Sequence, residues 1–267
     1  MNNSIDLILV NNKENSNINE EIFKALKPGG YIFSFDTPNK AHNSVCDIED
    51  IGFIVKDSIS YFFKENEDVN QDVICLAMKP LSEKTFADNV LKWGTGGLNI
   101  DKCRIGYEAT PNPATNPLYR AQNGYKIPEK GQESKGAVKF TSSKNEINPE
   151  GRYPANLIIH KDVAPILDNQ SGILKSGKAT LGVGKNRGSH INLGGGKITS
   201  CYADEGGVSR FFKSVDSQKE LLKYIAIMGL PPKKGKVLFL GFNGVEDIVN
   251  EINKEKGTSY EVVGGMN

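Results

Sequence analysis

The sequence predicts an α/β protein: a doubly wound sheet interrupted by a basic, loop-rich insertion. Three observations predict it. Residues 1–80 alternate short β-branched or aromatic runs with stripes of helical period. From about Gly106 both periodicities fade into Pro, Asn, Gly, Ser and Lys. At "KGKVLFLGFNGVEDIV", Lys234 to Val249, the order strand, glycine loop, acid-headed helix returns.

The elements follow in chain order. "IDLILV" (Ile5 to Val10) is a β-branched apolar run, hence a buried strand. In "NINEEIFKALKPGG", Ile18, Ile22 and Leu26 with Phe23 and Ala25 form a helical stripe, which Pro28, Gly29 and Gly30 should stop. "YIFSFD" (Tyr31 to Asp36) is a second strand, and "NKAHNSVCDIEDIG" a second helix ended by Gly52. "FIVKDSISYFF" and "DVICLAM" read as an antiparallel strand pair. The segments from Gly106 to Gly151 and "SGKATLGVGKNRGSHINLGGGKITS" hold too few apolar residues for a core. Between them "RYPANLIIHKDVAPILDNQSG" supplies a short strand, Asn156 to Ile159, and a short helix. In "SQKELLKYIAIMGL", Leu221, Leu222, Ile225 and Met228 share a helical face. "SYEVVGG" is the last strand.

Composition bounds the function classes. With 267 residues, 38% of them hydrophobic, the chain can bury a real core. No apolar run approaches the ~20 residues of a membrane helix. The start, "MNNSIDLILVNNKENS", lacks the basic end and apolar centre of a secretion signal. Cys46, Cys75, Cys103 and Cys201 are scattered and read as reduced. His42, His160 and His190 fall at no zinc spacing, so no metal site is expected. The net charge of +1 conceals a split: Lys79 to Lys213 carries 20 Lys and Arg against 12 Asp and Glu. A basic centre between acidic flanks suits a polyanion, although lysine-rich loops are often simply solvated.

Four phrases in fixed order carry a resemblance: "LKPGGYIFSFDTPNKAHNSVCDIEDIGF", "KPLSEKTFADNVLKWGTGGLNIDKCRI", "GRYPANLIIH" and "GGVSRFFK". With the closing "LLKYIAIMGLPPKKGKVLFLGFNGVEDIV", they resemble successive landmarks of the permuted DNA amino-methyltransferases. Those enzymes methylate adenine N6 or cytosine N4. The resemblance spans nearly the whole chain. It implies a Rossmann-like SAM-methyltransferase sheet of seven-stranded type. Residues 1–105 would form its N-terminal part, 106–210 a basic, glycine-rich target-recognition-like region, and 211–267 the C-terminal part with the cofactor loop. Neither terminal half should fold alone, since both ends of the chain enter one sheet. The family also implies DNA as partner and the cytoplasm of a bacterial or phage-infected cell.

The departures from the family pattern decide the expected activity. Its catalytic D-P-P-Y motif would stand where "LILVNNKENS" places Asn11, Asn12, Lys13 and Glu14. The chemistry needs an acid or amide and a rigid backbone carbonyl to polarise the exocyclic amine, and an aromatic to stack on the flipped base. Asn11 can imitate the first group; no proline or aromatic follows. The cofactor strand should end in an acid and run into D-P-F-x-G-S-G. Here Phe239 takes the place of the acid, and the loop keeps only Gly241, Asn243 and an offset Gly244. At the next strand, "YEVVGGMN" shows no carboxylate for the ribose. Random decay should have blurred the scaffold phrases as well.

The expectation is therefore a catalytically inactive methyltransferase-like protein, with no cofactor, acting through DNA or as a non-catalytic subunit. Arg120, Tyr125, Lys126, Lys130, Lys135, Lys139, Lys144, Lys178, Lys185 and Arg187 are the candidate nucleic-acid contacts, with Tyr119 as a further base-stacking ring. Trp93, Phe211 and Phe212 are candidate anchors for a protein partner or a second copy, against the plainer reading as core. The alternative is a diverged, active enzyme. Asn11 or Asp36 would then act, with S-adenosylmethionine held by backbone amides from Gly241 to Gly244. Against Asp36 stands the plainer role of a helix cap. Ser200, Cys201 and Asp204 suggest no nucleophilic triad.

Overall fold

The computed structural model describes residues 2–13, 18–106, 150–175 and 205–263. Its strands and helices are β1 (Ile5–Asn11), α1 (Glu20–Ala25), β2 (Leu26–Asp36), α2 (Ala41–Ile51), β3 (Ile54–Glu65), β4 (Asp68–Met78) and α3 (Phe86–Trp93). After these come β5 (Leu157–His160), α4 (Ala164–Ser171), β6 (Leu174–Lys175), β7 (Glu205–Gly206) and β8 (Lys213–Val215). The last four are α5 (Gln218–Gly229), β9 (Lys234–Leu240), α6 (Val245–Lys256) and β10 (Ser259–Val263).

Eight strands form one sheet in the order β10-β9-β1-β2-β4-β3-β5-β8. Its ladders are parallel except where β4 runs antiparallel between β2 and β3. This is the doubly wound α/β class that the alternating pattern predicts and the Rossmann-like sheet that the resemblance implies. The count exceeds seven because β5 and β8 continue the ladder beyond β3. β6 and β7 make a separate two-stranded pair. Most of the loop-rich insertion lies outside the described residues.

The sheet is covered on both faces, so its central strands are apolar on both sides. Leu7 and Leu9 of β1, Phe33 of β2 and Phe239 of β9 pack with Leu221, Leu222 and Ile225 of α5 and with Ile248, Val249 and Ile252 of α6. Ile5, Ile8 and Val10, with Ile32 and Leu238, turn to the other face and meet Ile22 of α1 and Ile48 of α2. Gly229 lets α5 sit directly on the sheet, since a Cβ there would lie 2.5 Å from Leu7 Cδ1. The chain from the C-terminal segment thus flanks β1 on one side and the N-terminal segment flanks it on the other.

Two elements differ from expectation. α1 stops at Ala25, and Leu26 is already extended (φ −71°, ψ 138°), so Lys27 to Gly30 begin β2 rather than follow the helix. The Lys79 ammonium replaces the proline-glycine stop. It donates to Phe23 O (2.6 Å) and Leu26 O (2.7 Å), where carbonyls at a helix end lack partners. α3 was not visible in the periodicity because its pattern is inverted. Its buried residue is Asn89, while Phe86, Val90 and Leu91 are exposed. Asn89 Nδ2 donates to Pro28 O (2.9 Å) and Thr95 O (2.8 Å), and its Oδ1 accepts from Ser82 N (3.2 Å). Gly29 (φ +77°) passes so close that a Cβ would lie 2.5 Å from Asn89 Nδ2.

Candidate functional site

The strand order reverses between β9 and β1. From β9 the chain crosses by α6 to β10 on one side; from β1 it crosses by α1 to β2 on the other. In an open α/β sheet such a reversal opens a crevice beyond the carboxyl ends of the two strands. Asn11, at the end of β1, and the Gly241 loop after β9 meet there.

Asn11 ends β1, and its Nδ2 donates to Gly241 O at 3.0 Å. Gly241 has φ +71°, and a Cβ on it would lie 3.2 Å from Asn11 Cβ and from Asn11 O. The next ring, Phe242, folds back over the crevice. It lies edge-on to Phe35 of β2 (centroids 5.2 Å, 81°) and to Phe239 of β9 (6.3 Å, 89°). Phe239, at the place of the expected acid, is buried. Asn12 N donates to Phe35 O (2.8 Å), and its Nδ2 donates to the Ser44 hydroxyl. Lys13 Nζ pairs with Asp72 Oδ2 at 2.5 Å and sits 5.5 Å from the Phe63 ring centroid. Its carbonyl accepts from Lys40 Nζ (3.1 Å). Glu14 lies outside the described residues.

Asp36 is 1% exposed. Its two oxygens each accept a hydroxyl at 2.9 Å, from Ser34 and from Ser44. It is therefore a buried structural carboxylate, with each oxygen held by a hydroxyl. Nor does it cap α2, whose N-cap residue is Lys40. Burial raises the Asp72 carboxyl above its usual range, and the Lys13 ammonium opposes that shift. Ser44, Asp72, Phe63 and Phe242 are the site residues that sequence reasoning missed. The "GFNG" stretch announces a loop but not the direction of its ring.

Beyond Phe242 the loop opens. Gly244 has φ +67°, is the N-cap residue of α6 and meets nothing within 4 Å of a Cβ. With Asn243 it borders a shallow groove completed by Gln218, Lys219, Leu222, Asp247 and Ile248. The Gly241, Asn243 and Gly244 loop is thus closed at one end and open at the other.

The candidate nucleic-acid residues Arg120, Tyr125, Lys126, Lys130, Lys135, Lys139, Lys144, Lys178, Lys185 and Arg187 lie outside the described residues, as do Tyr119, Ser200, Cys201 and Asp204. Of the partner anchors, Trp93 donates Nε1–H to Ser82 Oγ (2.8 Å) under Lys92. Phe211 is half-buried, with the Arg152 and Arg210 guanidinium groups 4.8 and 4.5 Å from its ring centroid. Phe212 is half-buried too. Among the described residues no three His, Cys, Asp or Glu side chains group as metal ligands, and no helix is long and apolar enough to cross a membrane.

No protein-family model matches the chain, and no curated protein sequence matches it. Among solved structures, the M1.HpyAVI-SAM complex is similar at 10% identity and a TM-score of 0.42, covering 100% of this chain and 84% of the other. M1.HpyAVI alone is similar at the same identity and score, covering 99% and 83%. No residue role is carried from either to this chain.

Proposed function

We propose that this protein is a methyltransferase-like scaffold that does not transfer methyl groups and acts through DNA, by binding it or as the non-catalytic subunit of a complex. One observation carries the reading. At the strand reversal, the group that would polarise a target amine and the loop that would receive a cofactor are bonded to each other, Asn11 to Gly241. Phe242 covers the same ground by packing on Phe35 and Phe239. S-adenosylmethionine carries a charged amine, and no carboxylate ends β9 to receive it: Phe239, Leu240 and Gly241 stand there. Asp36 offers no substitute, since both its oxygens are engaged. The residues present do not fit the cofactor.

The basic central region supports DNA as the partner by its charge alone. The competing reading of a diverged, active enzyme draws on the open groove at Gly244, which has one carboxylate in its lining, Asp247. Calorimetric titration with S-adenosylmethionine separates the two. The scaffold reading expects no heat at millimolar cofactor. Micromolar binding, followed by methyl transfer to DNA, overturns it.

A further inference from the structure

Tyr153 is 71% exposed, among the most exposed large hydrophobic side chains of the described residues. It is nevertheless held. The Arg104 guanidinium lies 4.1 Å from its ring centroid. Arg104 is fixed in turn: its side chain is 7% exposed, Nε donates to Asp101 Oδ1 (2.7 Å), and a terminal nitrogen donates to Gly151 O (3.1 Å). The backbone beneath is equally tied. Ile105 and Arg152 exchange two hydrogen bonds (3.0 and 2.8 Å), and Gly151 at φ +129° passes where a Cβ would lie 2.2 Å from Ile105 O. One face of the ring is therefore backed by a cation, while most of the residue remains open to solvent.

We propose that Tyr153, backed by Arg104, is a stacking platform for an unpaired nucleobase. The proposal rests on the DNA reading and names the part of the surface that meets a base. A rigid ring with one free face loses little entropy on stacking, and every base has a π-face to offer it. The charge of the neighbouring sequence suits the same partner. Residues 107–149, joined to this platform at Gly106 and Glu150, contain six Lys and Arg against four Asp and Glu. Residues 176–204 contain four against one. Single strands are bound by stacking bases on aromatic rings, and Tyr153 offers such a ring.

The test is fluorescence anisotropy on the full chain with a labelled single strand of roughly 16 nucleotides, and with an abasic strand of equal length, across a salt series. The abasic strand keeps the phosphates and removes the faces. Wild type should bind the base-containing strand more tightly. Tyr153→Ala should lose about 5- to 100-fold on that strand and little on the abasic one, with an unchanged salt slope. Tyr153→Phe should retain binding. If wild type binds and Tyr153→Ala binds equally well, the platform is overturned and the DNA reading stands. If Tyr153→Phe falls as far as Tyr153→Ala, the hydroxyl and not the ring face matters, and stacking is overturned. If wild type binds neither strand at low salt, both the platform and the DNA reading fail.

Discussion

Phe242 lies edge-on to Phe35, with ring centroids 5.2 Å apart, although Phe242 follows β9, Phe35 belongs to β2, and β1 separates the two strands. The contact bridges the carboxyl end of the central strand. It closes the place where an open sheet of this kind ordinarily receives a ligand. Its neighbour, the Asn11 to Gly241 hydrogen bond, closes the same end from the backbone.

Phe242→Ala should open that end at a measurable cost. The ring is half-buried and makes two edge-on aromatic contacts. Such contacts contribute about 0.5–1.5 kcal/mol beyond the area they bury. A total loss of about 1–3 kcal/mol is expected in urea unfolding, below the 3–5 kcal/mol typical of a fully buried Phe→Ala. If Phe242 is only a plug, the variant should also bind small aromatic probes that wild type does not. An unchanged unfolding midpoint would mean that the ring does not pack in solution.

Asn89 is fully buried and serves three backbone groups, Pro28 O, Thr95 O and Ser82 N. Asn89→Leu keeps the volume and removes every one of those bonds. Pro28 O retains the Thr95 hydroxyl at 2.6 Å, and Ser82 is exposed, so its N–H can turn to water; Thr95 O, on a buried residue, loses its partner. At about 1–3 kcal/mol for a buried group without a partner, a loss of about 1–3 kcal/mol is expected. Denaturant unfolding checks it, with Leu91→Ala, on an 86% exposed side chain of the same helix, as the near-neutral control.

The same knot explains why the scaffold was legible and the site was not. In "LKPGG" and "KPLSEKTFADNVLKWGTGG", Pro28, Gly29, Lys79, Asn89 and Thr95 lock together at the end of the sheet away from the crevice. β1 and α5 were legible because an apolar run and a 3.6-residue stripe report burial directly. α3 was not, because it buries an amide and exposes its apolar residues. At the crevice, the sequence shows Asn11 and Phe239 at the ends of two strands. It does not show that Asn11 bonds a carbonyl 230 positions away. Asp36 gave the opposite difficulty: a strand-end acid suggests chemistry or a cap, and only Ser34 and Ser44 reveal that it is held by hydroxyls.

Asp72 makes stability depend on pH in a specific direction. Burial raises its carboxyl above the usual 3.8, against the pull of Lys13. The native state thus holds this proton more tightly than the unfolded chain does. The resulting stabilisation is complete in acid, below the unfolded value, and is lost as pH rises through the raised native value. Asp72→Asn removes that titration. Its stability relative to wild type should therefore improve between acid and neutral pH. Lys13→Met should do the reverse at neutral pH, leaving a buried carboxylate without its cation at a cost of about 2 kcal/mol. Urea midpoints for the three proteins across that pH range decide it; parallel curves for wild type and Asp72→Asn would exclude the linkage.

The cysteines offer a last check on the two-faced core. Burial pushes the Cys75 thiol up to about 11 and the Cys103 thiol up to about 12, while Cys46 is exposed on α2. The thiolate is the species that reacts, so neither buried cysteine should alkylate near pH 8 in the native state. Mass mapping after brief iodoacetamide treatment should find Cys46 modified and Cys75 and Cys103 intact. Adding denaturant should expose all three. The same shifts predict alkaline sensitivity. The contribution from Cys75 is present below its unfolded value of 9.0 and is lost as pH rises towards about 11, so unfolding midpoints should fall over that interval. Cys75→Ala and Cys103→Ala together should flatten that fall. Rapid native labelling of Cys103, which lies under Tyr224 with its carbonyl accepting the Tyr224 hydroxyl at 3.0 Å, would mean that α5 does not pack on the sheet as described.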